Sequence, residues 1–221
     1  MNRIQLMWRP VVPLLFLGLV SFSIGQEKIE ELERKLRASP NNESLLMDLG
    51  RLYHDLGVAG DDDAVEKGFA LFDRAVTLDS TNVFARAYRG RLWTLKARDA
   101  WWPPTKLSYL RQGAEDLDEA VSMAPDNIMI RLLRGVNSLG APSIMGRLLS
   151  ALEDFIVILR HPDFPEQTKE LKVMAFYYGG VAYKRADDYE AAKGLFKRAV
   201  SIFPESEFAK KARDELKDMG S

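Results

Sequence analysis

The sequence predicts an all-α protein, a right-handed solenoid of about four helix-turn-helix repeats, and three observations carry that prediction. Four glycines, Gly50, Gly90, Gly135 and Gly180, stand in near-identical settings at intervals of 40, 45 and 45 residues. Downstream of each lies a recurrent quartet: Phe72-Asp73-Arg74-Ala75, Leu117-Asp118-Glu119-Ala120, Leu152-Glu153-Asp154-Phe155 and Phe196-Lys197-Arg198-Ala199. Ten residues separate Pro40 from Gly50, Ser80 from Gly90 and Pro125 from Gly135, a count that chance apolar periodicity does not hold three times. Self-similarity at such a period is the signature of stacked units, none of which can bury its apolar face alone.

The elements follow in chain order. Residues 1–25 place Arg3 and Arg9 ahead of the apolar run Val11–Val20 and end in small residues before Gln26. That is the layout of a secretory signal peptide. The run, broken by Pro10 and Pro13, falls short of the ~20 apolar residues a bilayer span needs. Cleavage is therefore expected, with an uncleaved membrane anchor as the alternative. Losing the leader removes two arginines and no acid, which moves the formal charge from −1 to −3. The mature chain is expected to be exported, to the periplasm or outside the cell. It has no cysteine, so disulfides, thiolate metal sites and a cysteine nucleophile are excluded, and stability rests on packing. With 31 basic against 32 acidic residues there is no general pull toward nucleic acid.

Residues 26–42 form an amphipathic half-repeat helix with Ile29, Leu32 and Leu36 on one face and Pro40 as its stop. Repeats then occupy residues 43–82, 83–127, 128–171 and 172–206, and residues 207–221 form a capping helix with Phe208, Ala209, Ala212 and Leu216 on one side. In each unit the glycine lets two helices approach closely. An aromatic three residues on (Tyr53, Trp93, Tyr183) fills the space beside it, and the later alanine admits the next unit. Proline ends the second helix in several units because it cannot donate to the preceding turn. The third repeat is degenerate, with Ser138 in the aromatic position, Phe155 in the alanine position and Pro162 arriving late. The second carries an insertion containing Trp101-Trp102-Pro103-Pro104.

These anchors resemble the tetratricopeptide repeat family over roughly residues 27 to 218. The closest match is Phe176-x-x-Gly179-Gly180-x-x-Tyr183 followed by Ala192-x-x-x-Phe196-x-x-Ala199-x-x-x-x-Pro204, which keeps the 34-residue pattern. The first and second units carry about six and eleven extra residues between their helices. The resemblance implies a concave surface lined by the first helix of each unit: Met47, Arg51 and His54, then Ala87, Arg91 and Thr94, then Leu132 and Val136, then Tyr177, Val181 and Lys184.

Reactive constellations are absent from the sequence. There is no phosphate loop or dinucleotide fingerprint, His54 and His161 are not spaced as metal ligands, and Asp61-Asp62-Asp63 lacks the alternation of a calcium loop. No catalytic residue, metal or cofactor is expected, and the chain is expected to be a non-enzymatic interaction scaffold for a protein or peptide partner. Arg51, His54, Arg91, Trp101, Trp102 and Tyr177 are the candidate partner-binding residues. Arg51 and Arg91 occupy equivalent positions one repeat apart, where two guanidiniums grip a carboxylate or acidic peptide. Arg51 alternatively pairs with a neighbour such as Asp55. At least one of Trp101 and Trp102 is expected to pack back over its hairpin, since so much apolar area is rarely left in water. The alternative function is a small-molecule accessory protein, in which the Trp101–Pro104 segment and the apolar third unit enclose one pocket for a ligand passed to a membrane transporter.

Overall fold

The computed structural model describes residues 14–220, with side chains from Gly25 onward. Of the expected leader, residues 1–13 lie outside the described residues, and the remainder begins the first helix. The helices are α1 (Leu14–Ala38), α2 (Glu43–Val58), α3 (Asp62–Leu78), α4 (Val83–Asp99), α5 (Pro103–Met123), α6 (Ile128–Gly140), α7 (Leu148–Arg160), α8 (Lys169–Arg185), α9 (Tyr189–Ile202) and α10 (Glu207–Asp218). One 3-10 turn, Ser143–Met145, lies between α6 and α7. Among the described residues there is no strand, and no helix is long and apolar enough to cross a membrane.

Short polar side chains set where the helices begin. Asn42, Asn82 and Asn127 each accept from the backbone N–H three residues on, at the starts of α2, α4 and α6. Asp61, Thr168, Asp188 and Ser206 do the same for α3, α8, α9 and α10. Each satisfies one of the donors a helix leaves open at its start. The acidic runs at Asp61 and Asp188 are thus caps and first-turn residues, and α5 begins without a side-chain cap on Pro103, whose missing N–H costs nothing there.

The hairpins are α2–α3, α4–α5, α6–α7 and α8–α9. The first helices of successive hairpins also touch one another, α2 to α4, α4 to α6 and α6 to α8, whereas the second helices make no comparable contact. The stack therefore curves, with α2, α4, α6 and α8 on the inside and α10 closing the far end against α8 and α9.

Each hairpin closes over its glycine. A Cβ on Gly50 would stand 2.7 Å from the Phe72 ring, one on Gly180 2.6 Å from Phe196, and one on Gly90 2.9 Å from the Gly113 carbonyl oxygen. In the third hairpin the residue over Gly135 is Phe155, at 3.1 Å. This corrects the sequence alignment. Phe155 corresponds to Phe72, Leu117 and Phe196, not to the alanine three residues further on, and Ala151 corresponds to Gly68, Gly113 and Ala192. The quartet as aligned is displaced by three residues, close to one helical turn, which keeps an apolar residue on the same face and hides the slip.

The extra residues of the second hairpin lengthen its helices: α4 continues to Asp99 and α5 runs 21 residues, so only Ala100–Trp102 connect them. Neither tryptophan packs inward. Trp101 is 87% exposed and Trp102 52%, with ring centroids 5.5 Å apart, contrary to the expectation that one would cover the hairpin. The short connection before Pro103 leaves both indoles at the mouth of an open cleft rather than folded over the hairpin.

Two charged clusters cross the central seams in the same register. Arg86 and Arg89, four and one residues before Gly90, converge on Asp116, with Arg89 Nη2 donating at 2.6 Å. Arg131 and Arg134, four and one before Gly135, converge on the fully buried Asp154 at 2.9 and 2.7 Å. Each second arginine also reaches back to the preceding hairpin, Arg89 to Asp73 at 2.9 Å and Arg134 to Asp118 at 3.3 Å. Each first arginine caps the carbonyl of the preceding stop, Ser80 or Pro125.

Candidate docking surface on the concave face

The inner helices bring two of the expected residues together and separate the others. His54, on α2, is 5% exposed, so it is a buried imidazole rather than a surface one. Its ring meets Tyr88 of α4 edge-on at 5.3 Å, and Tyr88 stacks on Phe72 at 5.1 Å with 9° between planes. Arg91, one residue past Gly90, donates from Nε to His54 Nε2 at 3.0 Å. An arginine has no lone pair to offer, so Nε2 is the acceptor, and the proton of the neutral ring sits on Nδ1, which donates to Asp55 at 3.0 Å. Burial pushes the His54 pKa below its ordinary 6.5, against an opposing pull from Asp55.

Arg91 has no carboxylate partner among the described residues; its one protein hydrogen bond is to neutral His54. Burial pushes its pKa below the ordinary arginine range, and Tyr88, Tyr178 and Asp55 offset this only in part. Arg91 is half-buried, and a partly desolvated guanidinium whose two amino groups lack counter-charge favours an incoming anion. Beyond it, Thr94 donates to Asn137 Oδ1 at 2.7 Å and ties α4 to α6.

The other expected residues stand elsewhere. Arg51 is exposed and paired with Asp48 at 2.7 Å, not with Asp55, so it shares no partner with Arg91. Tyr177 packs against Phe196 and Phe208, centroids 6.0 and 5.7 Å away, beneath α10; the tyrosine that contributes at Arg91 is its neighbour Tyr178. Ala87 and Leu132 are buried in the core rather than lining the groove, and Lys184 is engaged by Glu215 at 2.6 Å. The Trp102 segment and the Ala141–Leu149 segment line two separate open clefts of about 390 and 640 Å³, so they do not enclose one pocket. Among the described residues no three His, Asp or Glu side chains are grouped to hold a metal ion.

No protein-family model and no curated protein matches the chain. Its backbone does match solved structures. TTC0263, a thermophilic tetratricopeptide repeat protein of Thermus thermophilus, aligns with a TM-score of 0.69 at 17% identity over 91% of this chain and 95% of its own. MamA of Desulfovibrio magneticus RS-1 aligns at 0.56 and 16% over 83% and 88%. A tetratricopeptide repeat protein of Parabacteroides merdae ATCC 43184 aligns at 0.58 and 18% over 91% and 69%. The shared property is the fold: this chain is a tetratricopeptide-type helical-hairpin solenoid.

Proposed function

We propose that the chain is an exported, non-enzymatic docking scaffold whose concave face receives an acidic segment of a partner protein on Arg91. The observation that supports the reading is the half-buried guanidinium of Arg91, held in place by His54 and left without counter-charge. A partner carboxylate supplies that charge in a partly desolvated setting, where such a bond is strong and geometrically selective. A shape-based platform of this kind suits a repeat fold, whose curved inner layer presents an extended surface. In this reading Arg51, exposed and paired with Asp48, is not the anchor.

The test is a crosslinking pull-down from native envelope with the full chain. Arg91→Glu is expected to abolish recovery of the partner, while Arg51→Glu retains it and both variants keep wild-type helical content. Equal recovery by wild type and Arg91→Glu would remove the assignment. For export, N-terminal sequencing of the mature protein is expected to begin at or near Gln26; a chain that keeps Met1 is anchored instead.

A further inference from the structure

The topology gives the solenoid two unlike edges. One carries the turns inside the hairpins, at residues 59–61, 100–102, 141–147 and 186–188; the other carries the turns between hairpins. The most exposed large apolar side chains all stand on the first edge: Ile144 at 88%, Trp101 at 87% and Leu149 at 77%, with Trp102 beside them. On the opposite edge the most exposed is Leu78, at 47%.

The chain enters the fold on the same edge. Helix α1 runs antiparallel to α2: Ile29 and Leu32 pack with Ala64 at the start of α3, whereas Leu36, further along α1, also reaches the cluster of Leu46 and Phe72. The segment before Gly25, which carries the apolar run Val11–Val20, therefore joins the solenoid at the first hairpin, on the same edge from which the exposed tryptophans, Ile144 and Leu149 project further along the stack.

We propose that this edge lies against a lipid bilayer, with Trp101 and Trp102 at the headgroup level and Ile144 and Leu149 in the shallow acyl region. Indole has an apolar body and one N–H donor, which suits the water–lipid boundary better than either phase. The backbone holds these side chains outward. Pro103 starts α5 directly after the tryptophans, and Ile144 sits in a single 3-10 turn between Pro142 and Gly146, whose φ of 63° ends that turn. The neighbouring turns on the edge carry Asp61, Asp62, Asp63, Asp187 and Asp188, so the surface that fits is zwitterionic rather than anionic. The proposal uses none of the groups at Arg91 and stands or falls apart from the concave-face reading.

The test uses the full chain with Trp8→Phe and Trp93→Phe, which leaves Trp101 and Trp102 as the only indoles. Fluorescence is read with phosphatidylcholine vesicles brominated near the headgroup end of the acyl chains. The expected result is loss of about half or more of the emission, as boundary-seated indoles require. Adding Ile144→Ser and Leu149→Ser, both at exposed positions, is expected to cut that quenching at least about twofold. Unquenched emission overturns the proposal. If the chain still sediments with the vesicles, the leader alone holds it; if residues 101–102 instead crosslink to a protein, the edge is a protein interface.

Discussion

Arg91 and His54 are the residues whose surroundings exceed what packing requires. Replacing Arg91 with methionine removes a half-buried cation that has no counter-charge while keeping most of the aliphatic stem. The variant is expected to be up to about 1 kcal/mol more stable, a rise of at most roughly 2–4 °C in Tm for a chain of this size, and to lose its partner. A fall in Tm on calorimetry would mean that the His54 bond outweighs the desolvation cost. His54 gives a pH signature of known sign. Its folded pKa lies below the ordinary 6.5, so the unfolded chain takes the proton first. The stability it contributes is complete above pH 6.5 and is lost as the pH falls through the folded value. Urea midpoints measured between pH 7.5 and 5 are expected to decline for wild type and to stay flatter for His54→Gln. Parallel curves would contradict the buried neutral ring. The position of His54 after Tyr53 was visible in the sequence. The direction of its ring was not, because that depends on Tyr88 and Arg91 of the next hairpin.

At the scale of the helix pair, the sequence showed the closing contacts and missed the charged seams. The glycine spacing located the approach that Phe72, Leu117, Phe155 or Phe196 fills in each hairpin, but not those at Gly57 and Gly113, where a Cβ would stand 2.8 Å from Val65 and 2.6 Å from the Gly90 carbonyl oxygen. The charged seams were also written in the sequence, as Arg-x-x-Arg-Gly at residues 86–90 and 131–135, but arginine four and one residues before a glycine reads as solvated surface until its partner is known. Burial pushes the Asp154 carboxyl above its ordinary range even against two guanidiniums, so the cluster is held by geometry at a desolvation cost. Asp154→Asn leaves Arg131 and Arg134 buried with a neutral partner and is expected to cost about 3 kcal/mol in chemical denaturation. Converting the three together, Arg131→Met, Arg134→Leu and Asp154→Leu, is expected to recover most of that loss. If the triple variant is as unstable as the single one, the seam depends on charge rather than on filled volume. The corresponding positions of the outer repeats are Leu46, Leu49 and Leu71 in the first and Phe176, Gly179 and Leu195 in the fourth. The ionic latches therefore belong to the two central hairpins, where they also bind each unit to its predecessor through Asp73 and Asp118.

Among the described residues the hairpins pack chiefly on their immediate neighbours, so protection from hydrogen exchange is expected to follow position in the stack. Helices α4 to α7, which carry both latches, are expected to exchange slowest by mass spectrometry, and α1 and α10, each packed on one side only, fastest. Uniform exchange along the chain would show a single cooperative unit. The curvature has the same origin: inner helices touch along the stack and outer ones do not, which turns the α2, α4, α6 and α8 layer into the concave face that holds Arg91.

From its amino acids alone the chain determined the all-α class, the four hairpins, their glycine seams and the closing helix, because these follow from local period and from residue size at close approaches. Tertiary structure decided which charges are spent and which are free. Arg51 and Arg91 are equivalent in sequence, yet Asp48 lies one turn away on the same helix while His54 comes from the preceding hairpin and brings no charge. It also decided that the tryptophans point outward, because α4 and α5 lengthen until only Ala100–Trp102 connect them, a stretch too short to fold back over the hairpin. Local pattern records what each residue is; the burial that gives a charge or an indole its meaning is set by segments 20 to 40 residues away, and no local pattern contains it.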